Sequence, residues 1–287
     1  MNKVKEFIKE KKLIQNGDHI IIGVSGGADS VYLLLILNEL RESMNLTITA
    51  VHINHMIRRE AVDDQKFVQD LCGQLSIPCK IFEIDVKQIA KREKMSLEEA
   101  GRKARYDVFY KIMKKYHADK IAVAHHQNDQ AETFLYRCAR GTGVYGAGAM
   151  KEKDGVLIRP LLCVKKQEIV EYLQQIGQTW VEDASNQDDA FARNQIRNQI
   201  IPRLESVNEQ AVEHIGWLCE DIQEVRFGIR TVTCDAEHGF CINGKRVILR
   251  GACIHHDNGL LGACAYDFAE RRKIRILQEN GYNAIRS

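Results

Sequence analysis

Apolar positions at Val4, Phe7, Ile8 and Leu13 or Ile14, set among lysines and glutamates, give residues 1–15 the spacing of a short amphipathic helix. The pattern then changes to a continuous run, His19-Ile20-Ile21-Ile22-Gly23-Val24, whose β-branched residues suit a strand buried on both faces. A polar turn, Ser25-Gly26-Gly27-Ala28-Asp29-Ser30, follows, and Val31 to Met44 continues as a strongly apolar helix. The alternation repeats as strand 46–54, helix 62–76, strand 79–86, helix 97–116, strand 119–125 and helix 129–140. Strands alternating with helices of this length predict βαβ units. The expected class is therefore α/β, a parallel twisted sheet with helices on both faces and right-handed crossovers.

Residues 141–157 read as a Gly-rich loop, and 165–224 as helical with a polar interruption at 182–189. After Val225 the texture becomes that of a small β-rich tail. Phe227–Asp235 and Phe240–Arg250 look like strands joined around Glu237-His238-Gly239, and Asn243-Gly244 is a second tight-turn signal. Residues 267–280 are again helical, and Asn283-Ala284-Ile285 opens like a strand. The expected divisions are 1–160, 161–224 and 225–287.

Composition narrows the class. A hydrophobic share of 45% in 287 residues is enough for a real core. No stretch approaches the roughly 18 consecutive apolar residues that span a bilayer, and the Lys- and Glu-dense start is not a secretory signal. A cytoplasmic protein with no membrane partner is expected. The 9 cysteines include no C-x-x-C pair, which argues against a disulfide framework, a zinc ribbon or an iron–sulfur cluster. With a net charge of +2, a polyanionic partner would need a local basic face.

Polar clusters at 25–30, 52–58 and 125–132 all fall at the carboxyl ends of expected strands, the rim where parallel sheets bind ligands. A glycine pair between a buried strand and a helix lets backbone N–H groups face a ligand, and the helix N-terminus favours phosphate. Ser25 and Ser30 can add hydroxyl donors, and Asp29 can hold a Mg²⁺ that bridges phosphates. The loop is neither G-x-x-x-x-G-K-[ST] nor G-x-G-x-x-G. In His125-His126-Gln127-Asn128-Asp129-Gln130-Ala131-Glu132-Thr133, the spacing puts Asp129, Glu132 and Thr133 on one helix face. Two carboxylates at a helix N-terminus could grip an ammonium group or a metal. Arg193 and Arg197, four apart, could join Arg102 and Arg105 in pinning phosphate or carboxylate groups.

The SGGADS turn matches the PP-loop of ATP pyrophosphatases. Four further motifs are Val51-His52-Ile53-Asn54-His55, the run from Glu98 to Tyr106, Ile158-Arg159-Pro160-Leu161-Leu162, and the stretch from Trp180 to Pro202 with its Arg193-Asn194. Together with the 125–133 run, they resemble the tRNA(Ile)-lysidine synthetase family from about residue 17 to about residue 220. Asn128 and Ala147 depart from the family's usual residues.

The resemblance implies an ATP-binding PP-loop domain over 1–160, a helical segment completing the site over 161–224, and a ligase that consumes ATP. It implies that cytidine in the CAU anticodon of tRNA(Ile) is adenylated and that free L-lysine then displaces AMP. Ser25, Gly26, Gly27, Ala28, Asp29, Ser30, His52, Asn54, Arg102 and His125 would surround ATP, with Mg²⁺ on Asp29. Asp129 and Glu132 would bind and orient lysine, and Arg193 would hold the lysine carboxylate or the adenylate phosphate. A related PP-loop tRNA thiolase would need a cysteine pair or cluster. The tail instead resembles a fragment of β-galactosidase-type glycoside hydrolases, through Phe227–Thr231, His255-His256-Asp257-Asn258-Gly259 and Asn283–Arg286. A fusion is expected there, inactive as a glycosidase and dispensable or even harmful to the synthetase domain, with an inactive fusion product as the alternative. The oligomeric state is left open.

Overall fold

Ile20, Ile21 and Ile22 are each 0% exposed because strand β1 (His19–Gly23) runs through the middle of a sheet covered on both sides. The structure, a computed structural model, describes residues 1–56, 61–182 and 192–223, and within the tail 232–235, 239–242, 245–246, 251–253, 275, 278–279 and 284–286. The sheet adds β2 (Thr47–Asn54), β3 (Cys79–Glu83), β4 (Lys120–Ala122), β5 (Lys153–Asp154) and β6 (Leu157–Ile158). Its order is β3-β2-β1-β4-β6-β5, parallel except where β5 runs against β6. The chain builds outward from β1 to β3 and then returns to β1's other side with β4. The crevice at this reversal, at the carboxyl ends of β1 and β4, is where such sheets take ligands.

The period of two along β1 divides the core. Ile20 and Ile22 join α1 (Asn2–Glu10), α2 (Ala28–Leu40), α3 (Ala61–Gln74) and α8 (Lys166–Gln175) on one face. Ile21 faces α5 (Leu97–Tyr116), whose Val108, Phe109 and Ile112 cover the other. Helix α2 is apolar all round, with Val31, Leu33, Leu34, Ile36 and Leu37 at 0% exposure, as befits an element sandwiched between sheet and helices. Each such side chain contributes about 1.5–3 kcal/mol on burial. Ile169 and Leu173 of α8 lie in the same cluster as α2, so no break in packing falls at residue 160. Met1–Val225 form one compact unit and Arg226–Ser287 a second.

The expected strand 79–86 stops at Glu83, and a helix absent from the sequence reading, α4 (Val86–Glu93), begins at once. Asp85 starts it by accepting from Gln88 N at 3.0 Å, and Val86 and Ala90, four apart, bury one face. Helix α5 opens with a reciprocal cap between Ser96 and Glu99 and stops at His117, which turns left-handed at φ 51°. Helix α6 (Gln127–Ala139) follows β4, and α7 (Val144–Ala147) sits inside the expected Gly-rich loop. Helices α9 (Ala192–Gln195) and α10 (Ile201–Val207) are joined by a π-helical turn, Ile196–Ile200, and α11 (Ala211–Gln223) ends the first unit. Among the described residues no helix is long and apolar enough to cross a membrane.

In the second unit, β7 (Val232–Asp235), β8 (Gly239–Ile242) and β9 (Lys245–Arg246) form an antiparallel sheet. Of the expected strand 240–250 the described residues give β8 up to Ile242 and β9 at Lys245–Arg246, and the Asn243-Gly244 signal lies outside the described residues. Strands β10 (Gly251–Cys253) and β11 (Ala284–Arg286) pair in parallel. The expected 227–231 strand start and the His255-His256-Asp257 cluster lie outside the described residues.

Candidate active site

The turn between β1 and α2 is shaped by two glycines. Gly26 has φ +94°, a left-handed conformation that only glycine adopts without strain, and Gly27 is the N-cap of α2. A Cβ on Gly26 would lie 3.3 Å from Val181 Cγ2. The Val181 N–H donates to Gly26 O at 2.9 Å, so a later segment is pinned across the loop. Ser30 Oγ accepts from the amides of Ser25 and Gly26, each at 3.2 Å, and donates to Gly27 O at 2.9 Å. Ser25 Oγ lies 3.2 Å from Ser30 Oγ. These donors, internally paired here, surround the positive end of α2, where an anion would replace the internal bonds.

Asp29, in the first turn of α2, meets a partner that the sequence reading did not single out. Lys166 Nζ donates to both Asp29 oxygens at 2.7 Å, and His126 Nε2 is 3.7 Å from Oδ2. Lys166 is the first residue of α8, an end where a cation opposes the helix dipole. That misplacement is the signal that could have marked it. Its amide donates to Asn128 Oδ1 at 2.9 Å, which ties α8 to the start of α6.

A cavity of about 420 Å³ runs from this loop to the ends of β2 and β4. His52, Asn54, His55, His125 and Arg105 line it. His52 Nδ1 lies 2.8 Å from Val24 O, while His52 Nε2, His55 Nδ1 and His125 Nδ1 are buried and unpartnered. Burial holds all three rings neutral. It pushes His55 down to about 4, helped by Arg105 and His52. It also lowers His125 to about 4, with Arg159, Arg102 and Arg105 reinforcing it against Asp129. Asn54 Oδ1 accepts from Met56 N at 2.9 Å, and its amide nitrogen reaches Gln65 Oε1 at 3.4 Å. Arg102 does not line this cavity. It lies 5.0 Å over the Tyr106 ring and lines a second cavity, while Arg105 lines the first.

The expected shared face of α6 is present, but its two carboxylates have different surroundings. Asp129 Oδ2 accepts from the His126 amide at 3.0 Å, and its Oδ1 is 3.7 Å from Arg197 Nη2. Burial raises its pKa, but His126, His125, the His126 amide and Arg197 outweigh that, so Asp129 is held below the usual carboxylate range. Glu132 is 2% exposed, and both its oxygens are occupied by Arg197, with Nε at 2.6 Å and Nη2 at 2.9 Å. Desolvation pushes Glu132 up in spite of that pair. In this structure Glu132 is therefore engaged with Arg197 through both oxygens, whereas Asp129 holds Arg197 only at 3.7 Å. Arg193 donates to Thr133 Oγ1 at 3.1 Å and lies 3.6 Å from Glu98, facing the second cavity.

Residues 1–204 match the PP-loop domain family. The tRNA(Ile)-lysidine synthase of Clostridium perfringens is 42% identical over 205 residues, 71% of this chain and 44% of that protein. That of Petrotoga mobilis is 38% identical over 224 residues, covering 78% of this chain and 72% of the relative. The Clostridium tetani enzyme is 37% identical over 285 residues, 98% of this chain and 60% of its own, a match that runs on past Val225. The chain thus spans less than half of the C. perfringens relative's length. Among solved structures, the U34-tRNA thiolase NcsA of Methanococcus maripaludis superposes with a TM-score of 0.66 at 16% identity, over 78% of this chain and 79% of that one. At that identity the likeness shows the fold alone.

Proposed function

We propose a function for this chain from the families to which it belongs, the PP-loop domains and, within them, the tRNA(Ile)-lysidine synthases. The chain attaches free L-lysine to the first anticodon cytidine of a CAU-anticodon tRNA(Ile), using ATP. The cytosine O2 attacks the α-phosphorus and forms the O–P bond as pyrophosphate leaves. The lysine amine then attacks C2, forms the C–N bond and expels AMP, and the amine proton passes to a carboxylate or water. The setting is the cytoplasm. One observation carries this reading above the others. The glycine loop, the positive end of α2 and three buried unpartnered histidine nitrogens open on one cavity at the reversal of the sheet.

The residues divide the work by their surroundings. The amides and hydroxyls of Ser25 to Ser30 give up their internal bonds to the β and γ phosphates. Neutral His52 and His125 offer ring nitrogens to the ribose or base, with Asn54 beside them. Asp29 already holds a cation, and a single carboxylate suits Mg²⁺, which takes most of its oxygens from phosphate and water. When bound, that ion would neutralise charge on the departing pyrophosphate. Asp129 stays ionised and is the carboxylate set to face the lysine ammonium, while Glu132 and Arg197 fix the helix that carries it.

The test is to incubate the chain with ATP, lysine and CAU-anticodon tRNA. AMP, pyrophosphate and RNA-bound lysine should appear in equal amounts. Stoichiometric ADP would overturn the reading.

A further inference from the structure

The second cavity, about 730 Å³, lies along the far half of α6. Arg102, Arg137, Arg140 and Arg193 line it, with Thr133 and Tyr136 between them. Its carboxylates are Glu98, 3.6 Å from Arg193, and Glu99, which is turned onto Ser96 N at 3.0 Å and Oγ at 2.9 Å. Among the described residues no carboxylate pairs with Arg102, Arg137 or Arg140. Arg137 donates to the carbonyls of Gly146 at 2.8 Å and Ala149 at 3.0 Å, which fixes its position without neutralising its charge. Arg140 lies 5.4 Å over the Tyr136 ring and donates to its hydroxyl at 3.0 Å.

Four guanidiniums face two carboxylates, Glu98 beside Arg193 and Glu99, which is turned onto Ser96 yet still feels the charge of Arg140. The cavity thus keeps a positive excess beside an aromatic ring and matches a phosphodiester chain with its bases better than a single small anion. We infer that this cavity takes the phosphodiester backbone of the RNA strand whose target base enters the nucleotide site. The inference rests on the function proposed above and deepens it. Helix α6 joins the two places. Asp129 stands in its first turn beside the ATP cavity, and Arg140 caps its other end about 16 Å away by helical rise. An extended strand covers that distance in a few nucleotides. Arg193 and Thr133 lie between, so a strand anchored at Arg140 runs toward the carboxylate face rather than away from it.

The probe is a synthetic anticodon stem-loop RNA, with affinity measured by fluorescence anisotropy across a salt series. Arg140→Gln should weaken binding about tenfold at low salt and reduce the salt slope by about 0.7, the loss of one single-strand phosphate contact. Arg102→Gln should do the same, and ATP affinity of Arg140→Gln should match the wild type. Arg140 is exposed, so the melting temperature serves as a fold check. Inorganic phosphate that displaces the RNA only at concentrations that merely raise ionic strength supports a polynucleotide site. Displacement by micromolar phosphate or ATP would mean a small-anion site and overturn the inference. Unchanged slope and affinity in both variants would also overturn it, even if the wild type makes lysidine. Lost RNA affinity in the variants of a wild type that attaches no lysine would keep the site and sink the proposed reaction instead.

Discussion

Lys166 places its ammonium 2.7 Å from each carboxylate oxygen of Asp29, across the mouth of the phosphate loop. The pair joins the first turn of α2 to the first residue of α8, and both side chains remain partly exposed. Such pairs add little to stability, so the value of Asp29 lies in its charge. Asp29→Ala should leave the melting temperature within a few degrees of wild type and cut turnover at least about tenfold, ~1.4 kcal/mol of barrier or more. A variant that keeps most of its rate in a pyrophosphate-release assay would remove Asp29 from the chemistry.

Glu132 and Arg197 are a different kind of pair, because one partner is almost wholly enclosed. Glu132→Gln leaves Arg197 with a neutral acceptor and should cost about 2 kcal/mol in urea unfolding, in the range for hydrogen bonds to charged groups. Asp129→Asn, by contrast, should chiefly raise the KM for lysine. Equal stability of wild type and Glu132→Gln, with a raised KM for lysine in the latter, would return Glu132 to the substrate.

Buried histidines make stability depend on pH, His52 by a lowered pKa and His55 and His125 most strongly. His55 and His125 titrate at about 4 in the folded chain against 6.5 for the free side chain, so between these values the unfolded chain binds more protons. Stability should therefore fall as pH drops from about 6.5 to about 4, each ring contributing up to about 1.4 kcal/mol per pH unit. His125→Gln should flatten that slope in thermal melts by no more than one ring's share. A slope unchanged by this substitution would show that His125 is protonated in the native state.

Phe109 seats its ring where Gly23 has no side chain. A Cβ there would come within 2.4 Å of Phe109 Cζ. Gly23→Ala should destabilise the protein by about 1–3 kcal/mol through overpacking. Phe109→Leu in the same chain should recover part of the loss, visible as a non-additive double-mutant cycle. Strict additivity would mean that the ring simply moves aside.

Met1–Val225 pack as a unit of their own, and the residues proposed for catalysis all lie within it. A chain cut after Gln223 should keep its melting temperature and its ATP affinity. The foreign appearance of the tail motivates this expectation, and the match to the C. tetani enzyme over 98% of the chain supplies its rival. A drop of many degrees on truncation would make the tail part of the working protein.

Much of this site could be read from the order of residues. Continuous apolar runs such as Ile20-Ile21-Ile22 have only one comfortable place, the inside of a covered parallel sheet, and the polar turns after them must then share a rim. Contacts between elements distant in the chain could not be read this way. Nothing local pairs Glu132 with Arg197 rather than with a ligand, and nothing in a helical repeat says that Arg105 faces the nucleotide cavity while Arg102 does not. Cys79 to Val86 is locally a good strand, which hides helix α4; the Asp85 cap decides the matter.

The bond from Val181 N–H to Gly26 O also bears on how the protein comes into being. A chain emerging from the ribosome makes the phosphate loop early but the segment that lies across it, and Lys166 with it, much later. The loop is thus left half-built until that later segment is made, and ATP can reward only the finished unit with extra stability. Nucleotide binding by nascent chains of increasing length should therefore be absent before Val181 has cleared the exit tunnel and reach full strength only once the unit ending at Val225 is out.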